Sequence, residues 1–144
     1  MRRTSVYVLV VVATVGAALP IGAADAPVKL IVHPSRARTL SESEVRAIYL
    51  KQKLLWDDGQ PIIPVNRESG SDVRERFSQR IFGQGSRRLA GYWNQRYFEA
   101  GEFPPVTLAS EEAVIRYIAG NENAIGYVVR EDVGDSVAVA LVLP

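Results

Sequence analysis

The stretch Pro61-Ile-Ile-Pro-Val-Asn-Arg-Glu-Ser-Gly-Ser-Asp-Val-Arg-Glu-Arg-Phe77 predicts a strand, a tight turn and a helix in succession. Residues 62–65 form a short run rich in β-branched side chains, which is typical of a buried strand. Small, turn-forming residues follow, and apolar residues then recur at Val73, Phe77 and Ile81, the spacing of one helix face. This order predicts free backbone N–H groups at the first helical residues.

The turn and the start of this helix carry a candidate anion site. Free N–H groups and the helix dipole both favour a negative charge at a helix N-terminus. Two guanidinium groups flank the turn, and an arginine fork suits a tetrahedral oxyanion because it donates two parallel hydrogen bonds. The residues that we expect to bind the anion are Arg67, Ser69, Gly70, Ser71 and Arg74.

The same residues also fit a purely structural interpretation. Ser69 or Ser71 can cap the helix, and caps of this kind occur on most helices. The two arginines can pair with the acidic residues around them, which are Glu68, Asp72 and Glu75. Asp72 favours this alternative, because a carboxylate in the first turn complements the dipole and repels a bound anion.

The composition limits the classes of protein to which the chain can belong. Its 144 residues suffice for one domain with a core. Without Arg2 and Arg3 the 17 basic residues become 15, against 16 acidic ones, and this near-neutral balance argues against a nucleic-acid partner. The chain has no cysteine and His33 is its one histidine, which removes most metal sites and catalytic triads. We therefore predict no metal, no cofactor and no enzymatic activity.

Residues 1–24 have the three zones of a secretory signal peptide: a basic start, an apolar run over residues 6–18, and small residues at the end. Cleavage at the end of this segment, or one residue earlier, would leave residues 25–144 as a single domain exported to the periplasm. The alternative is a retained membrane anchor. Gly16 and Pro20 argue against it, because they leave an apolar run that is short for a membrane span.

Capping signals and periodicity place the remaining elements. Strands are expected at Val28–Val32, at residues 124–129 and over the alternating Val137, Val139, Leu141 and Leu143. Helices are expected at residues 41–50, with a Ser41–Glu44 capping box, and from Ser86 and Ser110. This alternation of strands and helices predicts an α/β layer fold with a mixed or mostly parallel sheet.

Three further residue patterns carry expectations about packing. An apolar stripe on the helix from Ser86 is assigned to the core, and its members are Leu89, Ala90, Trp93 and Tyr97. Trp56 is expected to pack on the domain rather than to stack on a ligand. Gly126, inside a predicted strand, indicates a close approach of another element to the backbone.

The turn resembles the phosphate loop of the periplasmic phosphate-binding proteins that serve ABC transporters. Arg67, Gly70 and Ser71 stand where that family has the Arg, the first Gly and the Ser of its pattern Arg-x-x-Gly-Ser-Gly-Thr. The pattern's second Gly and its Thr are replaced here by Asp72 and Val73. The resemblance therefore implies a phosphate-type site, with a hydroxyl ligand and a close-approach glycine missing.

The likeness to this family extends beyond the loop. Residues 40–50 and 56–65 match its preceding helix and strand, and residues 123–127 match a later Gly-Ala-Ile-Gly-Tyr strand. In all, roughly residues 28–130 are covered in the family's order. The resemblance implies one lobe of a type 2 periplasmic-binding-protein-like fold, a mixed sheet flanked by about four helices.

The resemblance also implies a function. We expect an exported, phosphate-type oxyanion-binding protein that serves ABC transport or sensing, with phosphate or a similar small oxyanion and a membrane transporter or sensor as partners. The sequence before Val28 is too short to encode most of the family's other lobe. Binding is therefore expected to be weak and salt-sensitive unless self-association or another protein completes the cleft.

The alternative is a single-lobe interaction or regulatory protein. It would dock on a membrane sensor or transporter without binding a ligand tightly. The replacement of two anion-friendly loop positions by Asp72 and Val73 favours this alternative.

Overall fold

The computed structural model describes residues 26–144, so the predicted signal peptide and its cleavage site lie outside the described residues. The strands are β1 (Val28–Val32), β2 (Ile63–Arg67), β3 (Val106–Leu108), β4 (Ala124–Val128) and β5 (Ala138–Leu143). The helices are α1 (Glu42–Tyr49), α2 (Asp72–Phe82), α3 (Ser86–Ala100) and α4 (Glu111–Ala119), and a short 3-10 turn covers Pro34–Arg36. Over this part of the chain, every helix is too short or too polar to span a bilayer.

The five strands form one mixed sheet in the order β3-β2-β4-β1-β5. The central strand β4 runs parallel to β2 and antiparallel to β1. At one edge β3 runs parallel to β2, and at the other edge β5 runs antiparallel to β1. A five-stranded mixed sheet with four helices confirms the predicted α/β fold class.

Local sequence signals determine where the helices begin and end. In α1 the Ser41 hydroxyl accepts from the Glu44 amide, and the Glu44 carboxylate accepts from the Ser41 amide, as the predicted capping box requires. Ser71 and Ser110 cap α2 and α4 in the same position. Gly83 ends α2 with φ +68°, a left-handed conformation that suits glycine.

The main core lies between the sheet and the pair α1 and α2. Its centre is a cluster of three buried rings: Phe77 stacks on Tyr127 with 3.9 Å between centroids, and Tyr49 tilts against Phe77 at 4.7 Å. Trp56 is also buried, and its indole N–H donates to the Asn123 carbonyl. The predicted packing role of Trp56 is therefore confirmed, and the ring cluster holds α2 against the sheet just behind the β2–α2 turn.

A second core covers the opposite face of the sheet, where α4 packs on β4. Gly126 allows this approach: a Cβ at that position would lie 2.7 Å from Val114 Cγ1 and 3.1 Å from Ile118 Cδ1. Such distances are too short for any side chain, so the predicted close approach at Gly126 is confirmed. The sheet is thus sandwiched between α1 and α2 on one side and α4 on the other.

The predicted core stripe on α3 is wrong in half of its members. Leu89 and Trp93 are buried, but Ala90 is exposed and Tyr97 is 49% exposed. The first half of α3 packs against the body of the domain, where the Tyr92 hydroxyl donates to the Leu50 carbonyl, and the second half extends past it. Periodicity located one face of the helix, but nothing covers that face at its C-terminal end within residues 26–144.

The last strand is confirmed, but its alternating residues do not share one environment. Val137 and Leu143 are buried, whereas Val139 is 42% exposed. A bulge places the buried ends of this run in different cores, Val137 in the second core and Leu143 in the main core, because Leu30 pairs with Leu141 while Ile31 pairs with Val139. The skipped residue, Ala140, turns into the core, and the alternation changes face at that point.

Candidate anion-binding site

The β2–α2 turn is closed by its own backbone. The Ser71 amide donates to the Glu68 carbonyl at 3.3 Å, which defines a four-residue turn. Gly70 occupies its third position with φ +85°, a conformation that side-chain-bearing residues rarely adopt. The turn itself therefore requires Gly70, whether or not a ligand binds there.

Ser71 acts as the N-cap of α2. Its Oγ accepts from the Arg74 amide at 3.4 Å and donates to the Glu68 carbonyl at 3.0 Å. The hydroxyl proton is thus already used within the turn. Ser69, by contrast, is exposed, and its hydroxyl forms no hydrogen bond within the described residues.

The Arg67 guanidinium is buried and is held by the next residue in the chain. Its Nε and Nη2 donate to the two carboxylate oxygens of Glu68 at 2.9 and 3.0 Å. This hydrogen-bonded pair raises the pKa of Arg67 and lowers the pKa of Glu68. The Arg67 Nη1 lies 4.0 Å from a Glu111 oxygen. The fork that the sequence assigned to an oxyanion is therefore occupied by a carboxylate of the same protein.

Arg74 and Tyr127 fix the end of β2 beneath the turn. Arg74 Nη1 donates to the Arg67 carbonyl at 2.9 Å, and the Tyr127 hydroxyl accepts from the Arg67 amide at 3.2 Å. Tyr127 also donates to the Asn66 side-chain oxygen at 2.7 Å. Burial raises the pKa of Tyr127, so the hydroxyl keeps its proton for this bond. Sequence reasoning missed this positioning role of Tyr127, although the residue lies in the matched strand motif.

The turn still offers donors to a ligand. Four amide N–H groups have no acceptor within residues 26–144, and they belong to Ser69, Gly70, Asp72 and Val73. The Asp72 carboxylate is 76% exposed and lies 3.8 Å from the Arg76 guanidinium, one turn further along α2. Asp72 therefore pairs with Arg76 of the same helix. The structural interpretation also allowed pairing with Arg67 or Arg74, and neither of these pairs forms within residues 26–144.

An open cleft of about 470 Å³ adjoins the turn, between the start of α2 and the start of α3. Its lining residues are Ser69, Gly70, Arg74, Glu75, Ser86, Arg87 and Ala90. The carboxylate in this cleft, Glu75, accepts from the Ser86 amide at 3.1 Å and from the Ser86 hydroxyl at 2.9 Å, and these bonds lower its pKa. Arg74 and Arg87 therefore line this cleft together with one carboxylate, Glu75, which is already hydrogen-bonded to the first residue of α3.

His33 caps the 3-10 turn that follows β1. Its Nδ1 accepts from the Ser35 amide at 3.2 Å and lies 2.7 Å from the Ser35 hydroxyl, at the start of the 3-10 turn. Within residues 26–144, no three His, Cys, Asp or Glu side chains are grouped so that they could hold a metal ion.

Comparison with solved structures identifies the fold. The chain is similar to a structure described as a phosphate ABC transporter substrate-binding protein with bound phosphate from Clostridium perfringens, with a TM-score of 0.64 and 25% identity over 79% of this chain and 44% of that one. An ABC-type phosphate transport receptor from Vibrio cholerae gives a TM-score of 0.62 and 20% identity over 78% and 44% of the two chains. PstS from Borrelia burgdorferi gives a TM-score of 0.52 and 17% identity, over 71% of this chain and 40% of that one.

These matches confirm the predicted resemblance to phosphate ABC transporter substrate-binding proteins and the fold of one lobe of such a protein. The chain spans less than half the length of the structures that it matches. Neither a protein-family model nor a curated protein sequence matches it.

Proposed function

We propose that this protein binds a small, phosphate-type oxyanion at the N-terminus of α2, as an exported, periplasmic solute-binding component of ABC transport or sensing. The observation that carries the proposal is the β2–α2 turn. It retains Arg67, Gly70 and Ser71 on a lobe similar to that of a substrate-binding protein solved with bound phosphate. Four amides of this turn have no acceptor within residues 26–144, and the helix dipole favours a negative charge at the same end of α2.

The anion would enter from the open cleft and use the free amides first. Arg74 lines that cleft and adds positive charge, while its Nη1 remains bonded to the Arg67 carbonyl. Arg67 can contribute only after exchanging the Glu68 carboxylate for the anion. Glu68 is 39% exposed, so its side chain can move into solvent when the anion takes its place. Because Arg67 gives up one carboxylate to bind the anion, its net contribution to the binding free energy is small. Binding is therefore predicted to be weak and salt-sensitive.

Binding without chemistry fits the side chains at the site. Within residues 26–144 the Ser71 hydroxyl donates to the Glu68 backbone carbonyl and accepts from the Arg74 amide, so no side-chain base is hydrogen-bonded to it. Nucleophilic catalysis needs a base within hydrogen-bond reach of the nucleophile. We therefore propose that the ligand leaves this protein unchanged.

Isothermal titration with phosphate, sulfate and simple carboxylates tests the proposal. We expect heat of binding with at least one tetrahedral oxyanion, and loss of that heat in Arg67→Ala. Arg80→Ala is the matched control, because Arg80 lies at the other end of α2 and pairs with Glu42 at 2.9 Å. Equal binding by the wild type and Arg67→Ala would show that Arg67 is not a ligand, and no heat with any anion at millimolar concentration would refute the proposal.

The second candidate is an interaction or regulatory protein that docks on a membrane sensor or transporter. It is favoured by one observation: the Arg67 fork and the Ser71 hydroxyl, two of the expected ligands, are already bonded within the protein. This function predicts that no anion binds even to Glu68→Gln, in which the competing carboxylate is removed. Oxyanion binding by that variant would exclude it.

A further inference from the structure

The solvent face of α3 carries a large exposed ring. Opposite the buried Leu89 and Trp93, a stripe at intervals of three and four residues contains Arg87, Gly91, Asn94 and Phe98. Phe98 is 84% exposed, and the neighbouring Tyr97 and Phe103 are 49% and 64% exposed. The ring of Tyr97 lies 5.7 Å from that of Phe98 and 5.3 Å from that of Phe103. A contiguous aromatic surface of this kind marks an interaction site.

Gly91 lies on the same stripe, and nothing within residues 26–144 requires a glycine there. Apart from its chain neighbours and the backbone of its own helix, no heavy atom of the described residues lies within 4 Å of the position that its Cβ would occupy. A glycine inside a helix costs about 1 kcal/mol relative to alanine, so an open, mid-helix glycine is unfavourable unless another molecule packs against it. Gly91 precedes Phe98 by seven residues, which is two helical turns or about 10.5 Å.

The charges along α3 are the reverse of those that its dipole favours. Arg87 and Arg88 stand in the first turn, where no acidic residue accompanies them, and neither forms an ion pair within the described residues. Glu99 lies near the C-terminal end of the helix and accepts from the Gln95 side chain at 2.8 Å, without an ion pair in the described residues. Glu102 follows just after the helix and is already paired with Arg96 at 2.7 Å. Because a helix prefers acidic residues at its start and basic residues at its end, this arrangement is better suited to an antiparallel neighbour.

We propose that a second copy of this chain packs its α3 antiparallel across this stripe, around a two-fold axis beside Asn94. In this register Phe98 of each copy fills the space above Gly91 of the other, since the two positions lie equally far from the axis. Arg87 and Arg88 at the start of one helix then approach Glu99 at the end of the other, and the two helix dipoles oppose each other. A two-fold contact of this kind is closed and uses the same surface on both molecules.

This self-association does not depend on anion binding, but it would affect the anion-binding cleft. Arg87 belongs to the stripe and also lines the cleft beside Ser69 and Gly70, and Ala90, the residue before Gly91, lines the same cleft. A second α3 laid across α3 would therefore wall one side of that cleft. The contact is limited to a helix of 15 residues, about 22 Å long, so the dimer should form at high rather than low concentration.

Sedimentation equilibrium of the purified protein over a wide concentration range tests the proposal. We expect a reversible monomer–dimer equilibrium that Phe98→Ser shifts at least tenfold toward monomer. Gly91→Leu should do the same, because its side chain would fill the space that Phe98 of the second copy occupies, and its Cβ has open space around it within residues 26–144. Leu54→Ser is the matched control, since Leu54 is 58% exposed and does not belong to α3. A wild type that stays monomeric throughout, or a Phe98→Ser dimer as stable as the wild type, would overturn the proposal.

Crosslinking gives a second, geometric test, because the chain has no cysteine. Asn94→Cys places one thiol beside the proposed axis, where two copies come within the roughly 7 Å between Cα atoms that a disulfide needs. We expect a disulfide-linked dimer under mild oxidation, and its yield should fall when Phe98→Ser is added. Ser136→Cys, on an exposed loop, provides the background rate. Equal yields from the two cysteine variants would contradict the two-fold contact.

Discussion

At the scale of single residues, Glu68 has the largest influence on the proposed site, because it holds the arginine on which oxyanion recognition depends. The sequence identified Arg67 and named three acidic residues able to pair with it. It did not identify which of the three pairs with Arg67, because all three lie close to Arg67 along the chain. The side-chain torsions and the shape of the turn determine which carboxylate contacts the guanidinium. The structure selects Glu68, and it directs Asp72 and Glu75 to other partners.

Removing the competing carboxylate should strengthen anion binding. In Glu68→Gln the neutral amide holds Arg67 less strongly, so we expect phosphate affinity to rise roughly two- to fivefold, as an exposed ion pair worth up to about 1 kcal/mol implies. Titration calorimetry at low ionic strength measures the change. Glu42→Gln, which removes a carboxylate at the far end of α2, is the control and should leave affinity unchanged. Unaltered or weaker affinity in Glu68→Gln would mean that Glu68 does not compete with the anion.

The two serines of the turn should differ in their effect on stability. Ser71→Ala removes the cap of α2 and should lower the free energy of unfolding by about 1 kcal/mol. Ser69→Ala removes an exposed hydroxyl without a partner and should change stability by less than about 0.5 kcal/mol. Urea unfolding of both variants checks this difference, and equal losses would show that the cap contributes nothing.

At the scale of helices and strands, much of the structure could be predicted from the sequence. The capping box at Ser41, the stop at Gly83 and the close approach at Gly126 are local signals, and each appears in the structure. The exposure of Tyr97 and the bulge at Ala140 could not be predicted in this way. Periodicity shows which side chains share a face, but it does not show whether another element covers that face or whether a paired strand shifts its register.

Alanine substitutions at two glycines should change the free energy of unfolding in opposite directions. Gly126→Ala places a methyl group 2.7 Å from Val114 Cγ1, so overpacking should lower the free energy of unfolding by about 1–3 kcal/mol. Gly91→Ala meets no atom within its own chain and should raise it by about 0.5–1 kcal/mol through helix propensity. Thermal or urea unfolding at low protein concentration, where the monomer dominates, measures both. A neutral Gly126→Ala would show that α4 can shift away from β4 without cost.

At the scale of the whole molecule, the fold class followed from alternating strands and helices, and the resemblance indicated a single lobe. The order of the strands did not follow from the sequence, because β1 pairs with β4 and β5, which lie about a hundred residues away. Pairings between such distant segments depend on the complete core. The site likewise depends on the whole lobe, since Tyr127 on β4 positions the end of β2 through its bonds to Asn66 and Arg67.

Stability should be highest between about pH 5 and pH 10. Hydrogen bonds and basic neighbours lower the pKa of Glu44, Asp58, Glu68 and Glu75 in the fold, so their contribution is present above the unfolded pKa and is lost as the pH falls through the folded one. Burial raises the pKa of Tyr49 and Tyr127, so stability should also fall as the pH rises above the usual tyrosine value of 10. Urea unfolding across pH measures both limits, and a flat profile on the acid side would refute the role of the carboxylates.

The most direct test of the account is a phosphate titration followed by amide chemical shifts in two-dimensional NMR. The four amides without an acceptor, those of Ser69, Gly70, Asp72 and Val73, should move together and saturate with one dissociation constant. The Arg67 side-chain Nε–H should shift with them as the guanidinium leaves Glu68. Saturating shifts at another place, or none at these four amides up to tens of millimolar phosphate, would contradict an oxyanion site at the start of α2.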